Sequence, residues 1–241
     1  MTIRNVIVET FPGANTDGMD IDSCRHVRIP DSYFDTGDDA ICLKSGKDAD
    51  GRRVNRPTED VAITNCTIRR GHGAVVLGSE TSGSIRNVVA SNIVAQGTDR
   101  GIRIKSGRGR GGTLENIRFD NWVIDDTPNV AIEVTDYYAR IPDNVTINRC
   151  RTAVSIEGLP EMPIEGLRLT DVVANVKEGL STGLDLDGVQ ARTPKEGTPV
   201  VRLDRVKSAS LRSSVAWQGT RVFLSLTLGM KGSSTAIAVS T

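Results

Sequence analysis

Four variants of one short phrase recur along this chain of 241 residues, and their recurrence constrains the fold more than any other feature. Each copy has a small residue, then an apolar residue, a variable one, a second apolar residue and, two places later, a serine. The small residues that align the four copies are Gly18, Ala40, Ala74 and Gly101. Because apolar residues alternate with a period of two, the phrase predicts short β-strands and not helices.

A second phrase precedes these copies and consists of a polar residue, an apolar one, any residue and another apolar one. It begins at Asn5, His26, Asp60, Asn87, Asn116 and Asn144, with looser copies at Gly166 and Val200. Successive copies lie 21 to 34 residues apart. A variable period of this size, built from short strands, is typical of a solenoid whose units stack to bury their apolar faces.

The predicted architecture is an all-β parallel β-helix, with successive coils about 4.8 Å apart. Its core would contain Ile41, Leu43, Ile102 and Ile104, while Lys44, Arg103 and Lys105 would point outward. A leucine-rich-repeat horseshoe is the alternative, but its regular leucine framework and shorter fixed period are missing. We expect one domain over residues 1–241. Because no amphipathic helix caps either end, we also expect that the N-terminal coils are lacking.

Charge and composition exclude several classes of protein. Thirty basic residues balance thirty acidic ones, which gives no support to a general nucleic-acid or membrane-surface binder. No apolar run approaches the length of a membrane span, and no signal peptide is visible at the N-terminus.

Residues 46–57 form a loop outside the coil. Asp48 and Asp50 resemble part of a calcium loop, but Arg52 and Arg53 occupy positions that such a loop needs, so we expect no metal and no cofactor.

Reactive side chains concentrate just before the aligned small residues. They are Asp17, the pair Asp38 and Asp39, His72, and Arg100. Stacked coils would bring the acids close together, and their mutual repulsion would raise at least one pKa. A protonated acid beside ionised carboxylates is what hydrolysis of a glycosidic bond requires. The alternative is a purely structural role, in which Asp residues at β-helix corners only bind the backbone of turns.

These motifs resemble, in order, four signatures of the family 28 glycoside hydrolases, the polygalacturonases. They are Asn15-Thr16-Asp17, Gly37-Asp38-Asp39, Gly71-His72-Gly73 and Arg103-Ile104-Lys105. The resemblance covers residues 5–140 well and the remainder loosely. It implies a right-handed parallel β-helix, a single-stranded solenoid of the pectin-lyase-like type, that hydrolyses α-1,4 bonds of polygalacturonate with inversion. A bacterial-type member is expected.

The resemblance also implies roles for individual residues. Asp38 would be the general acid, and Asp17 and Asp39 would position and deprotonate the attacking water. His72 would tune the acid by hydrogen bonding.

Four further positions would contact the substrate. Arg103 and Lys105 would bind the sugar carboxylate. The planar guanidinium and the point-charged ammonium can both donate charge-assisted hydrogen bonds to a carboxylate. Asn15, which opens the first signature, is placed with these substrate-binding residues. Tyr138 is the better match to a substrate-contacting tyrosine of the family, with Tyr137 left open.

Other functions remain as alternatives. One is a related hydrolase acting on rhamnogalacturonan or another pectin, and a second is a noncatalytic β-helix that binds polysaccharide. Calcium-dependent lyases share the coil, but hydrolysis predicts activity without calcium and no unsaturated product. The expected partner is an acidic polysaccharide, with the oligomeric state left open. In full-length form the protein is expected to be secreted or periplasmic.

Overall fold

A parallel β-helix is the architecture of the described part of the chain, as the sequence predicts. The computed structural model describes residues 1–107, 109–135, 145–150, 152–157, 164–165, 168–170, 173–176, 201–204, 206–207, 210–212, 215–216, 224–227 and 234–237. The elements in chain order are β1 (Ile7–Glu9), β2 (Met19–Asp22), β3 (Arg25–Pro30), β4 (Tyr33–Asp35), β5 (Ile41–Lys44), α1 (Asp48–Val54), β6 (Thr58–Thr64), β7 (Thr67–Ile68), β8 (Val75–Leu77), β9 (Ile85–Gln96), β10 (Arg100–Lys105), β11 (Leu114–Asp125), β12 (Val130–Thr135), β13 (Val145–Cys150), β14 (Thr152–Glu157), β15 (Ile164–Glu165), β16 (Arg168–Thr170), β17 (Val173–Val176), β18 (Val201–Asp204), β19 (Val206–Lys207), β20 (Ser210–Arg212), β21 (Val215–Ala216), β22 (Leu224–Thr227) and β23 (Ser234–Ile237).

Two long sheets run along the solenoid. The first follows the order β1-β4-β7-β9-β11-β13-β17-β21, with β3 and β6 paired beside it. The second follows the order β2-β5-β8-β10-β12-β14-β18-β22-β23. Two further pairs, β15 with β19 and β16 with β20, belong to later coils. All described pairs are parallel except β22 with β23, which is antiparallel.

The register of the second sheet confirms the alignment of the first phrase. Ile41 pairs with Met19 on one side and with Val75 on the other, and Val75 pairs with Ile102. The predicted inward residues are buried, since Ile41 and Ile102 have no exposed surface. A small residue is needed at the corner because a Cβ on Gly18 would lie 2.4 Å from the Ala40 carbonyl oxygen.

The second phrase is confirmed in part. Val27, Val61, Val88 and Ile117 do lie in one register on the first sheet. Three further assignments are wrong. The copies with Val6 and Val145 lie in the other column of the first sheet, because Ile7 pairs with Tyr33 and Val145 pairs with Trp122, and Val201 pairs with Val154 of the second sheet. Each coil of the first sheet contains two such phrases, and a polar-apolar pattern alone does not distinguish them.

The polar residues that open these phrases form stacked ladders at the corners. Asn87 Nδ2 donates to Asp60 Oδ1 at 3.0 Å, and Asn116 Nδ2 donates to Asn87 Oδ1 at 3.1 Å. These residues have a positive φ between 53° and 58°, a left-handed conformation that Asn and Asp tolerate best after glycine. His26 shares this conformation, and its Nδ1 atom lies 3.2 Å from Asp60 Oδ2.

The loop at 46–57 contains the short helix α1, which the sequence did not predict. The helix is joined to the loop that follows β10. Arg110 donates to Asp48 Oδ1 at 3.0 Å, and Arg52 donates to the Gly109 and Arg110 carbonyl oxygens. Within the described ranges, no helix has both the length and the hydrophobicity needed to cross a membrane.

Trp122 belongs to the core. Its side chain is buried, its Nε1 donates to the Ala90 carbonyl oxygen at 2.8 Å, and its ring packs edge-on against Phe119. Burial of both the ring and its polar group excludes a role as an exposed sugar platform.

Candidate active site

Backbone hydrogen bonds link the corner segments that precede β2, β5, β8 and β10, one segment in each of four neighbouring coils. The bonds at the aligned small residues run from Gly18 N to Asp39 O at 2.9 Å, from Ala40 N to Gly73 O at 2.8 Å, and from Ala74 N to Arg100 O at 3.0 Å. Each corner segment therefore lies directly beside that of the next coil. The reactive residues of four separate coils meet along one edge of the second sheet.

The two loops that carry the acids are packed without spare room. The Thr16 hydroxyl donates to the Gly13 carbonyl oxygen at 2.6 Å and accepts from the Gly37 N–H at 3.2 Å. A Cβ on Gly37 would lie 1.7 Å from that same Gly13 oxygen. Thr16 and Gly37 thus fix the loop that bears Asp17 against the loop that bears Asp38 and Asp39.

Asp38 lies beside His72. The Asp38 Oδ1 atom accepts from the Asp39 backbone N–H at 2.8 Å and lies 3.2 Å from His72 Nδ1. The His72 backbone N–H also donates to the Asp38 carbonyl oxygen at 3.2 Å. The other ring nitrogen of His72, Nε2, is buried and has no hydrogen-bond partner among the described residues.

Asp39 is the most buried of the three acids, at 2% exposure. Lys105 Nζ donates to its Oδ2 at 2.9 Å. Its other oxygen, Oδ1, lies 3.9 Å from Arg103 NH1. Without substrate, the two predicted carboxylate-binding cations therefore face a carboxylate of the site itself.

Asp17 shows the raised pKa that the sequence predicts for one of the acids. Burial is the main cause and raises the pKa of Asp17 to about 6, with further upward contributions from the charges of Asp20 and Asp38. The Lys44 ammonium, 3.3 Å from Asp17 Oδ2 and 2.7 Å from Asp20 Oδ2, opposes this rise. Desolvation is thus the largest single cause, and the mutual repulsion that we expected adds to it.

One cluster in the described residues brings together possible metal ligands. The ligand atoms of Asp17, Asp20 and Cys42 lie within 4.8 Å of one another. Lys44 already places a positive charge between the two carboxylates. Burial raises the pKa of the Cys42 thiol well above its usual value, so the thiolate that would bind a metal is disfavoured. This donor set does not suit a cation.

The structure brings six of the eight predicted site residues to one edge of the second sheet: Asp17, Asp38, Asp39, His72, Arg103 and Lys105. Asn15 is exposed in the loop before Asp17, with a φ of 53°. Tyr138 and its alternative Tyr137 lie outside the described residues.

Sequence reasoning missed three charged residues of the site. Lys44 shares a column with Lys105, because Leu43 and Ile104 both pair with Leu77. Glu133 lies beside Arg103 on the next coil. A fifth copy of the first phrase, Val130-Ala131-Ile132-Glu133-Val134, would have identified Glu133 had it been aligned. Asp20, the third, occupies the variable position of the first copy.

The fold and this site together define a class of protein: a parallel β-helix that carries stacked carboxylates, an imidazole and basic side chains at one sheet edge, suited to acid–base chemistry. The chain belongs to family 28 of the glycosyl hydrolases, whose family model matches residues 1–209.

Individual relatives agree with this membership. A probable polygalacturonase of Vitis vinifera is 32% identical over 78% of this chain, and an exo-poly-α-D-galacturonosidase of Dickeya chrysanthemi is 37% identical over 56%. The crystal structure of a hyperthermoactive exopolygalacturonase from Thermotoga maritima superposes with a TM-score of 0.70 at 27% identity over 98% of this chain. The chain spans only 44%, 22% and 49% of these three proteins.

Proposed function

We propose that this chain carries the catalytic coils of a hydrolase that cleaves the α-1,4-galacturonosidic bonds of polygalacturonate with inversion. The observation that carries the proposal is the stacking of three carboxylates, an imidazole and two cations over neighbouring coils. The names of the relatives, polygalacturonase and exo-poly-α-D-galacturonosidase, support the same substrate. Because that polymer belongs to the cell wall, we infer that the full-length protein is secreted or periplasmic.

The reaction divides between the acids. Asp38 gives its proton to the glycosidic oxygen as the bond from that oxygen to C1 breaks and its electron pair moves to the leaving group. A water molecule attacks C1 from the opposite face and loses a proton to Asp17 or Asp39. Each of these proton transfers is worth about 10²- to 10⁴-fold in rate. The Asp38 carboxyl is returned to its acid form by solvent.

Arg103 and Lys105 are proposed to bind the carboxylate of the sugar. Both face Asp39, so a substrate carboxylate that enters the cleft completes the charge balance of two cations and two anions. Charge-assisted hydrogen bonds of this kind favour an acidic sugar over a neutral one. Replacing Lys105 by Met is expected to raise the KM for polygalacturonate, and an unchanged KM would count against this role.

The decisive assay measures new reducing ends on polygalacturonate in the presence of EDTA. We expect activity without calcium and no unsaturated product that absorbs in the ultraviolet. Asp38→Asn is expected to lose at least about a hundredfold in kcat. Equal rates for the parent and this variant would refute Asp38 as the acid, while binding without any cleavage would favour a noncatalytic polysaccharide binder.

A second assay separates the acid from the base, which matters because the raised pKa falls on Asp17. An aryl oligogalacturonide with a good leaving group needs no protonation of its oxygen. We therefore expect Asp38→Asn to recover much of its activity on this substrate, and Asp17→Asn to remain impaired. The reverse result would assign the acid role to Asp17.

A further inference from the structure

Glu133 carries a largely buried carboxylate that binds two arginines at the candidate active site. It lies on β12, directly opposite Arg103 of β10. Its Oε2 atom lies 3.1 Å from Arg103 Nε and 2.6 Å from Arg100 Nε. The three side chains are only 9% to 12% exposed. Such a bridge fixes a guanidinium more firmly than a solvent-exposed ion pair, which gains little from its charges.

On its other side, Arg103 faces a gap. Its NH1 atom and the Oδ1 atom of Asp39 are both buried, and neither has a hydrogen-bond partner among the described residues. They carry opposite charges and lie 3.9 Å apart, whereas a charge-assisted hydrogen bond prefers about 2.8 Å. Two such groups in a poorly solvated site attract each other strongly, so something must keep them apart.

Glu133 is positioned to do this. It holds Nε of the planar guanidinium on the side away from Asp39, and a fixed Nε restricts where NH1 can go. Arg100 in turn anchors Glu133. A Cβ on Gly73 would clash with Val76 Cγ2 at 2.3 Å, and it would also lie 3.3 Å from Asp39 Oδ1 and 3.6 Å from the Arg103 Cβ, so glycine leaves the space beside both groups open.

We propose that Glu133 is a positioning residue that keeps Arg103 from closing onto Asp39, so that the guanidinium remains available to an oxygen of the substrate carboxylate. The proposal rests on the proposed function for its kinetic consequence. The geometry that it explains is a pair of buried atoms, Arg103 NH1 and Asp39 Oδ1, that lie 3.9 Å apart without a hydrogen-bond partner among the described residues, and it stands independently of the reaction.

The kinetic test replaces Glu133 by Gln, which keeps the shape and removes the charge. Arg103 is then expected to move towards Asp39, and the KM for polygalacturonate should rise about tenfold with a smaller fall in kcat. A lower KM would instead mean that Glu133 only competes with the substrate for Arg103, and would overturn the proposal. Glu133→Asp keeps the charge on a shorter side chain, so its KM should lie between those of the parent and Glu133→Gln.

A double-mutant cycle tests whether Glu133 acts through Arg103. Arg103→Met alone should raise the KM. Adding Glu133→Gln to that variant should change the KM by less than about twofold, because coupled residues do not have additive effects. Fully additive changes would overturn the proposal.

The chain offers a matched control in Glu59. Its carboxylate also bridges two arginines, at 2.7 Å from Arg25 Nε and 2.5 Å from Arg86 Nε, and its side chain is 11% exposed. It lies on β6 of the first sheet, away from the cleft. The arginines of Glu59 are 53% and 40% exposed, so Glu59→Gln should lower the melting temperature by no more than Glu133→Gln does, and it should leave the KM unchanged. An equal rise in KM would show a general loss of stability.

A crystal structure of the Glu133→Gln variant without substrate separates this proposal from the proposed function. We expect Arg103 NH1 within hydrogen-bond distance of Asp39 Oδ1, whether or not the protein cleaves polygalacturonate. An unchanged separation would overturn the positioning role even if the enzyme is active. If Arg103 NH1 reaches Asp39 Oδ1 in the variant but the parent protein is inactive on every pectin, only the proposed function is overturned.

Discussion

The corner ladders of the first sheet and the acidic edge of the second sheet share one geometry, but they differ in how completely their polar groups are hydrogen-bonded. In both, parallel coils in register place equivalent side chains beside each other. Along the ladder of Asp31, Asn65, Asn92 and Asn121, each amide donates to the oxygen of the coil before it. In the acidic edge, by contrast, Asp39 Oδ1, His72 Nε2 and Arg103 NH1 have no hydrogen-bond partner among the described residues.

The same contrast appears in two carboxylates. Asp35, at the end of β4, accepts hydrogen bonds from Arg70, and these hold its pKa below the usual value. Burial instead raises the pKa of Asp17 to about 6. Stacking by itself therefore does not identify a functional site. A functional column differs from a structural one because its polar groups are left incompletely paired or are held in an unfavourable charge state.

The largest expected effect comes from neutralising the acidic edge. Asp39→Asn should lower kcat on polygalacturonate at least about a hundredfold, because it removes a carboxylate that helps deprotonate the attacking water. The melting temperature should change little, since relief of repulsion from the neighbouring acids offsets the lost partner of Lys105. Initial rates and calorimetry check this. A kcat within tenfold of the parent would contradict the functional role of Asp39 and with it the contrast between the acidic edge and the ladders.

The next effect concerns pH. If Asp17 must be ionised to act as a base, kcat/KM should fall about tenfold per pH unit below its pKa of about 6. The Lys44 ammonium lowers the pKa of Asp17, so Lys44→Met should move this acid limb to higher pH. Rates measured from pH 4 to 8 check both statements. A limb that stays in place would show that another group controls the profile.

The ladder should behave in the opposite way. Asn92→Ala removes the acceptor of Asn121 and the donor to Asn65, and leaves alanine at a φ of 57°. We expect a loss of about 1–2 kcal/mol of unfolding free energy with unchanged kcat/KM. Asn92→Gly is the control that keeps the backbone relaxed, and its smaller loss would report the hydrogen bonds alone. Any large change in activity would contradict a purely structural ladder.

The smallest effect is expected at Asp35. Its folded pKa lies below its unfolded one, so its ionised form stabilises the fold above the unfolded pKa near 4, and this contribution disappears as pH falls through the folded pKa. Asp35→Asn should therefore lower the melting temperature slightly at pH 7 and flatten its dependence on acid. Denaturation curves at several pH values measure this. A variant that is more stable at pH 7 would contradict the assignment.

Much of the fold and the site follows from alignment of the repeats. Placing Gly18, Ala40, Ala74 and Gly101 in one column was sufficient to predict the second sheet, because side chains in a parallel coil repeat with the register. The same alignment brought Asp17 and Asp39 onto neighbouring coils. Alignment of the second phrase failed for Val6 and Val145, because each coil of the first sheet contains two such phrases, and for Val201, because strands of both sheets share the polar-apolar pattern. It also did not predict α1, whose seven residues have no apolar stripe long enough to recognise.

The amino-acid sequence by itself determined the coil, the inward apolar columns and the order in which the reactive residues are stacked, because all three depend only on a period of two and a repeated corner. Only the tertiary structure decided how the charges pair: Lys44 with Asp17 and Asp20, Lys105 with Asp39, and Arg103 with Glu133. Such pairing depends on distances of a few ångströms between long side chains and on how deeply each is buried, and neither is written in the spacing of residues along the chain.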